Sequence, residues 1–480
     1  MYHTHREAES PSTSYHIVTM PAQSPLRVAI VGSGPAAFFT ADQLLARDGL
    51  EITVDMFERL PTPFGLVRFG VAPDHQKIKK VTQQFHRAAQ RPNLRFFGNV
   101  DFGTDLQLDN LTRHYHMICF ATGAQTDRRL GIPGEDLQRS HSATDFVAWY
   151  NGHPEYRDYE FDLSVERVAV VGIGNVAVDV ARILCLTPEE LAKTDITDYA
   201  ERVLRQSSVR EIYMLGRRGP VQAAFTNPEV RELGEMPGAD FRVLSEDLVL
   251  DPLSQAALDA SDSRALRKRL DILQECAKRS PEGKPRTLTL RFLVSPVELM
   301  GNDASQVVGM RIVRNRLEEG KGRLRPVPTD RFEDLPVELV FRSVGYHGVP
   351  LPGVPFNEDW GTVPNEKGRV VTADGDPVPG IYVSGWIKRG PSGVIGTNKA
   401  DAAETVGVML EDAAAGKTLT PAEPDPAAAE ATIRSRQPRF ISYDDWLRID
   451  ELETSRGKAE GRPRVKFTSV PEILEALDRR

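Results

Sequence analysis

Cysteine is scarce in this 480-residue chain: Cys119, Cys185 and Cys276 stand far apart. With no Cys-x-x-Cys pair and no cluster of four, the sequence excludes a disulfide scaffold, a dithiol active centre and an iron–sulfur cluster held by its own cysteines. Long apolar runs are missing as well. No stretch reaches the roughly eighteen apolar residues that a membrane-spanning helix needs, so we expect a soluble protein without a membrane span. Cationic excess is also absent. The 60 Lys and Arg against 68 Asp and Glu give a net charge of −8, which argues against nucleic-acid binding while leaving room for local basic patches. The first 26 residues carry Glu7 and Glu9 and have neither the apolar core of a signal peptide nor the acid-free, basic character of a transit segment. We expect residues 1–24 to be a disordered extension, Met20 to be an alternative start, and the protein to be cytoplasmic.

The chain does contain two or three domains' worth of ordinary globular sequence, 40% hydrophobic and 27% charged. Its most informative stretch is VAIVGSGPAAFF, residues 28–39. An unalternating apolar run suits a buried parallel strand, and the apolar positions after it recur at helical spacing. Between them, Gly32 allows a tight turn, Gly34 lets a pyrophosphate approach the backbone, and Ala37 keeps the helix close to the strand. Glu58 closes the following strand, ITVDMFE, where a carboxylate can hold the ribose hydroxyls of an adenosine. A single Gly-x-Gly-x-x-Ala is weak evidence. A second unit, VAVVGIGNVAVDVARIL at 168–184, repeats the design with Gly172, Gly174 and Ala177, flanked by Asn175 and Val176.

The two units differ where cofactors are told apart. In the second, Thr187-Pro188-Glu189-Glu190 reads as a capping box opening an inserted helix, so the next strand is delayed to VREIYML, 209–215. That strand ends in Gly216-Arg217-Arg218 instead of an acid. Two guanidiniums there suit the 2′-phosphate of NADP, which a carboxylate would repel.

Three longer motifs carry a family resemblance. PTPFGLVRFGVAPDH (61–75), GPVQAAFTNPEVRELGE (219–235) and GWIKRGPSGVIGTNKA (385–400) resemble the adrenodoxin reductase type of NADPH–ferredoxin reductase, and the resemblance runs from about residue 27 to 480. It implies an α/β flavoprotein with two Rossmann-like dinucleotide-binding domains, one for FAD and one for NADP. It also implies that Glu229 contacts NADP, that His75 and Glu232 lie near the flavin and nicotinamide, and that Trp386 with Gly393-Val394-Ile395 contacts the flavin. Leu66 and Val100 complete the candidate cofactor residues. Read without the family, His75 is a histidine in a proline-rich loop, Glu232 a surface acid and Trp386 a core aromatic.

The FAD domain is expected to be discontinuous, 25–127 and 346–420, around an NADP domain at 128–345. Residues 421–480 are expected to be a linker (421–430) and a C-terminal segment wrapping the flavin domain. Residues 60–81 are too rich in proline and glycine for regular structure before their basic end. A helix around 264–278 carries Arg264, Arg267, Lys268 and Arg269, with Leu266 and Leu270 turned to the core and the cations fanned outward. By position it matches the family's basic helix, and it is a candidate docking surface for an acidic ferredoxin. The resulting function is NADPH:ferredoxin oxidoreductase. Two other readings stay open: an NADPH-dependent flavin oxidase or monooxygenase, and a non-catalytic nucleotide-sensing module.

Overall fold

The strand Leu26–Val31 lies inside a seven-stranded sheet, parallel to Ile52–Glu58 on one side and to the central strand Met117–Phe120 on the other. The computed structural model describes residues 25–320 and 323–479; the extension expected at 1–24, and Met20 with it, lie outside the described residues. Val28 and Ile30 project into one hydrophobic core and Ala29 and Val31 into another, on the two faces of the sheet. This two-sided burial is why the strand shows no polar alternation. Pro377–Val383 joins the same sheet parallel to Met117–Phe120, although some 260 residues separate them in sequence.

A second, six-stranded parallel sheet has the order Ser140–Ser142, Leu339–Arg342, Arg167–Val171, Glu211–Gly216, Arg286–Phe292 and Ala239–Val243. It has its own cores, the larger built on Phe146, Val168, Val170, Phe292 and Phe341. The chain passes between the two sheets through a two-stranded antiparallel ribbon in which Tyr346 pairs with Asp127 and His347 with Thr126. On this topology we propose the division 25–127 with 346–420, and 128–345.

Two expectations need correction. Residues 421–430 are linker only in their first half: Pro426–Arg436 is a helix, capped by Asp425 accepting from the Ala427 N–H at 3.1 Å. Its alanines favour helix, and Ala429 and Ile433 bury against the first sheet. Within 60–81 the helical turn Gln76–Lys79 falls at the basic end, as expected, but Leu66–Phe69 makes a further turn, started by Gly65 at φ +47°. The second half also carries a three-stranded antiparallel sheet, Val294–Gly301, Val307–Gly320 and Arg323–Leu335. Its outer strand is mostly exposed and polar, and so lacked a hydrophobic signal.

The C-terminal segment packs on the first half through Tyr443, Trp446, Ile449, Phe467 and Ile473, and Ile441 bridges to Gly98 at the sheet edge. Among the described residues, no helix is long and apolar enough to cross a membrane.

Candidate functional site

At the first glycine turn Gly32 has φ +107°, and a Cβ there would lie 2.5 Å from the Ala121 carbonyl. Only glycine fits. A Cβ on Gly34 would meet nothing within 4 Å, so the turn is open on the side where the expected pyrophosphate approaches. The second turn repeats this: Gly172 has φ +139° and would collide with the Ser343 carbonyl, while Gly174 is open. Ala37 and Ala177 are fully buried where helix meets strand, and Val176 is half-buried against the second core. Both helices present unpaired N–H groups toward open space, and each turn therefore fits a dinucleotide phosphate.

Glu58 closes its strand beside the first turn. Oε2 accepts from the Ser33 N–H at 3.1 Å and its hydroxyl at 2.6 Å, and Oε1 accepts from the Leu60 N–H at 3.0 Å. Burial pushes its carboxyl above the ordinary value against these hydrogen bonds. Val100 donates its N–H to the Glu58 carbonyl at 2.9 Å, but its side chain is buried in core. Leu66 is half-buried at the start of its helical turn.

The turn after Pro377–Val383 packs on the first one. A Cβ on Gly385 would lie 2.5 Å from the Ala36 methyl, and Asp401 holds the Gly385 N–H at 2.5 Å. Trp386 is half-buried, not a core residue; its ring centre lies 5.3 Å from that of Tyr346, and its Nε1 donates to the Ser392 carbonyl at 3.1 Å. Gly393 and Val394 are exposed, Ile395 is half-buried, and the helix Thr397–Ala414 starts just beyond.

Arg217 and Arg218 follow Glu211–Gly216 without a carboxylate partner among the described residues, and the Arg217 carbonyl accepts from Asn315 at 2.9 Å. Burial lowers the Arg218 guanidinium below its ordinary value, and Arg217 and Arg323 add repulsion. Uncompensated like charges suit a phosphate. Nearby, Glu229 closes a capping box on Thr226 at the head of Asn227–Leu233, and Asn175 also accepts from the Thr226 N–H at 3.3 Å. Both residues therefore shape the wall beside the second turn.

The structure brings His75 and Glu232 together. They are 157 positions apart, yet His75 Nε2 lies 3.1 Å from Glu232 Oε2. Three residues that sequence reasoning missed, Arg182, Asp74 and Asp179, surround this pair. Arg182 Nη2 points at His75 Nδ1 at 3.5 Å and is ion-paired with Asp74, at 3.1 Å, and Asp179, at 2.9 Å. His75 Nδ1 also faces the Asp179 carboxylate at 3.8 Å, so the ring stands between two carboxylates with the Arg182 guanidinium beside it. Burial pushes the Asp179 carboxyl up to about 6, against the pull of Arg182 and His75. Burial also raises Asp74, but the Arg182 charge and hydrogen bond bring it below the ordinary value. Charged residues three apart inside the apolar helix Asn175–Cys185 were the available signal.

The basic helix, Arg264–Ala277, is only partly as expected. Arg264, Arg267 and Lys268 are exposed, and Leu270 is buried, but Leu266 is only half-buried. Arg269 does not fan outward: its Nη1 donates to the Ala223 carbonyl and its guanidinium lies 5.8 Å from the Phe225 ring centre. The ring and carbonyl beside the second turn offer this stem a partly buried berth that solvent does not.

Comparison with known proteins agrees with this geometry. Residues 26–215 match the family described as pyridine nucleotide-disulphide oxidoreductase. The chain is 44% identical to NADPH-ferredoxin reductase FprA of Mycobacterium tuberculosis, covering 94% of this chain and 98% of that protein. It is 41% identical to the human mitochondrial NADPH:adrenodoxin oxidoreductase, covering 98% and 95%. A solved structure of the M. tuberculosis FprA in complex with NADPH superposes with a TM-score of 0.88 at 43% identity, covering 95% of this chain and all of that one. The chain belongs to the family of NADPH–ferredoxin reductases that includes NADPH:adrenodoxin oxidoreductase.

Proposed function

We propose that the chain is a flavoprotein oxidoreductase that takes hydride from NADPH onto FAD and passes electrons singly to an external, acidic iron–sulfur ferredoxin. The observation that carries this reading is the 3.1 Å contact of His75 with Glu232. A loop belonging to the first nucleotide half and a helix belonging to the second meet there, so the open faces of two dinucleotide sites converge at one place.

The residue roles follow from position. Gly32, Gly34 and Ala37 cradle the FAD pyrophosphate, and Glu58 orients the turn and faces the ribose. Trp386 and the Gly393-Val394-Ile395 backbone flank the flavin, and the amino end of the helix Thr397–Ala414 offers positive potential to it. Gly172, Gly174, Asn175, Val176 and Ala177 receive NADP, whose 2′-phosphate is held by Arg217 and Arg218, with Glu229 fixing the adjoining wall. His75 sits between the halves, with Glu232 at its Nε2 and Asp179 and Arg182 around its Nδ1. Bound FAD supplies the conversion between two-electron and one-electron chemistry. The chain has no dithiol or cysteine cluster to take the electrons onward, which supports an external carrier. Three free, buried cysteines support placing the protein in the cytoplasm.

The test is the purified protein itself. It is expected to be yellow with one FAD per chain, to lose FAD more readily as Glu58→Ala, and to be bleached anaerobically by NADPH faster than by NADH. A colourless protein that ignores added FAD contradicts the proposal and favours a nucleotide-sensing module.

A further inference from the structure

The insertion that delays the second unit's strand has no part in the nucleotide sites, yet it carries the buried carboxylate of Asp195, 2% exposed. Two ammonium groups from elsewhere converge on it. Lys79 lies on both of its oxygens, at 2.7 and 2.8 Å, and Lys466 lies 3.4 Å from Oδ2. Lys79 ends the helical turn Gln76–Lys79, whose N-cap is His75. Lys466 comes from the C-terminal segment and also donates to the carbonyls of Asn151, at 3.1 Å, and Arg68, at 3.4 Å. Four residues earlier, Arg462 grips the same insertion through Asp198 at 2.6 Å and the carbonyls of Thr194 and Ile196. Phe467, one residue on, is planted in the core of the first half.

Contacts between the halves elsewhere include polar ones, Asp74 with Arg182 and Arg59 with Glu155, and the Phe69 ring on His153. A polar interface of this kind leaves relative motion as the default. An apolar patch would let the halves slide, whereas a buried carboxylate with directional partners on two other chain segments has a single best register. Burial pulls the Lys466 ammonium well below the ordinary lysine value, opposed by Asp195, which is the counter-charge facing it.

We propose that residues 460–468 are a clamp, and that Asp195 and Lys466 are positioning residues that fix the two nucleotide halves at the mutual orientation in which His75 meets Glu232. The proposal rests on the NADPH-to-FAD reading for its consequence, but not for its geometry. Without the clamp the halves sample other orientations, and the nicotinamide spends less time against the flavin. Affinity for the pyrophosphate and 2′-phosphate, held within one half, is unaffected.

The test compares full-length holoprotein with Lys466→Met and with Arg462→Ala, the second variant serving if the first does not fold. Spin labels at Arg47→Cys and Lys278→Cys, exposed positions on the two halves, report their separation by pulsed electron resonance; the native cysteines are buried. The unmodified protein is expected to give one narrow distance distribution and each variant a broadened one. Flavin reduction by NADPH should slow about tenfold or more, since misplacement of the reacting groups is that costly. NADP+ affinity and flavin reduction by dithionite should be unchanged. Folded variants with the parent distance distribution overturn the clamp, as does a broadened distribution with an unchanged NADPH rate. If NADPH does not reduce even the unmodified protein, the functional reading fails, and the distance comparison still judges the clamp.

Discussion

Arg68 and Glu453 stand 385 positions apart and form a two-pronged ion pair at 2.9 and 2.5 Å, with side chains 4% and 0% exposed. Glu453 also accepts from Arg464 at 3.0 Å and from the Phe467 N–H at 2.9 Å. Burial pushes its carboxyl up, but these partners bring it below the ordinary value of 4.5. The group therefore stabilises the fold above pH 4.5, and that contribution is lost as the pH falls through its folded value.

Glu453→Gln leaves Arg68 buried without its counter-charge and should cost about 3–5 kcal/mol at pH 7.5. Urea denaturation followed by tryptophan fluorescence measures it. The gap to the unmodified protein should narrow below pH 4.5, as protonation of Glu453 removes the charge that the variant already lacks.

Asp179 works in the opposite sense. Its folded value of about 6 lies above the ordinary 3.8, so its ionisation weakens the fold as the pH rises through that window. Asp179→Asn should therefore gain stability relative to the parent between pH 4 and 7, by roughly 2–3 kcal/mol at the upper end. Thermal unfolding across that range checks the trend; a difference independent of pH contradicts it.

Replacing both Arg217 and Arg218 by Ala should raise the KM for NADPH about a hundredfold, since each charged hydrogen bond contributes about 1.5–3 kcal/mol. NADH, lacking the phosphate, should respond little. An equal effect on both cofactors would mean that the arginines serve the fold.

Charge reversal at Arg264, Arg267 and Lys268 should slow ferredoxin reduction and flatten its salt dependence while sparing ferricyanide reduction. Reversal at Arg269 alone should impair both reactions, because it breaks the contact with Ala223 and Phe225 beside the second turn.

The two glycine turns were legible because local sterics dictate them: Gly32 and Gly172 each face a carbonyl that excludes a Cβ. The capping box at Thr187 was legible for the same local reason, and both of its hydrogen bonds form. What sequence could not supply was partnership at a distance. Nothing near Glu232 in the chain points to His75, and nothing near Lys466 points to Asp195. The inward turn of Arg269 depends on a ring and a carbonyl from another element, so helical periodicity alone placed it outside. The exposed hairpin strand Arg323–Leu335 has no buried face to pattern its residues. The helix at Pro426–Arg436 was hidden by a proline-rich approach, although that proline sits at the helix start, where it is tolerated.

The central claim is that electrons enter as a pair from NADPH and leave singly to an iron–sulfur carrier. Single-turnover stopped flow tests it most directly: the enzyme is reduced anaerobically with one equivalent of NADPH, then mixed with oxidised ferredoxin or with air-saturated buffer. The account predicts two equivalents of ferredoxin reduced per flavin, far faster than the flavin is reoxidised by oxygen. Rapid reoxidation by oxygen with little transfer to ferredoxin would contradict it and identify an oxidase instead.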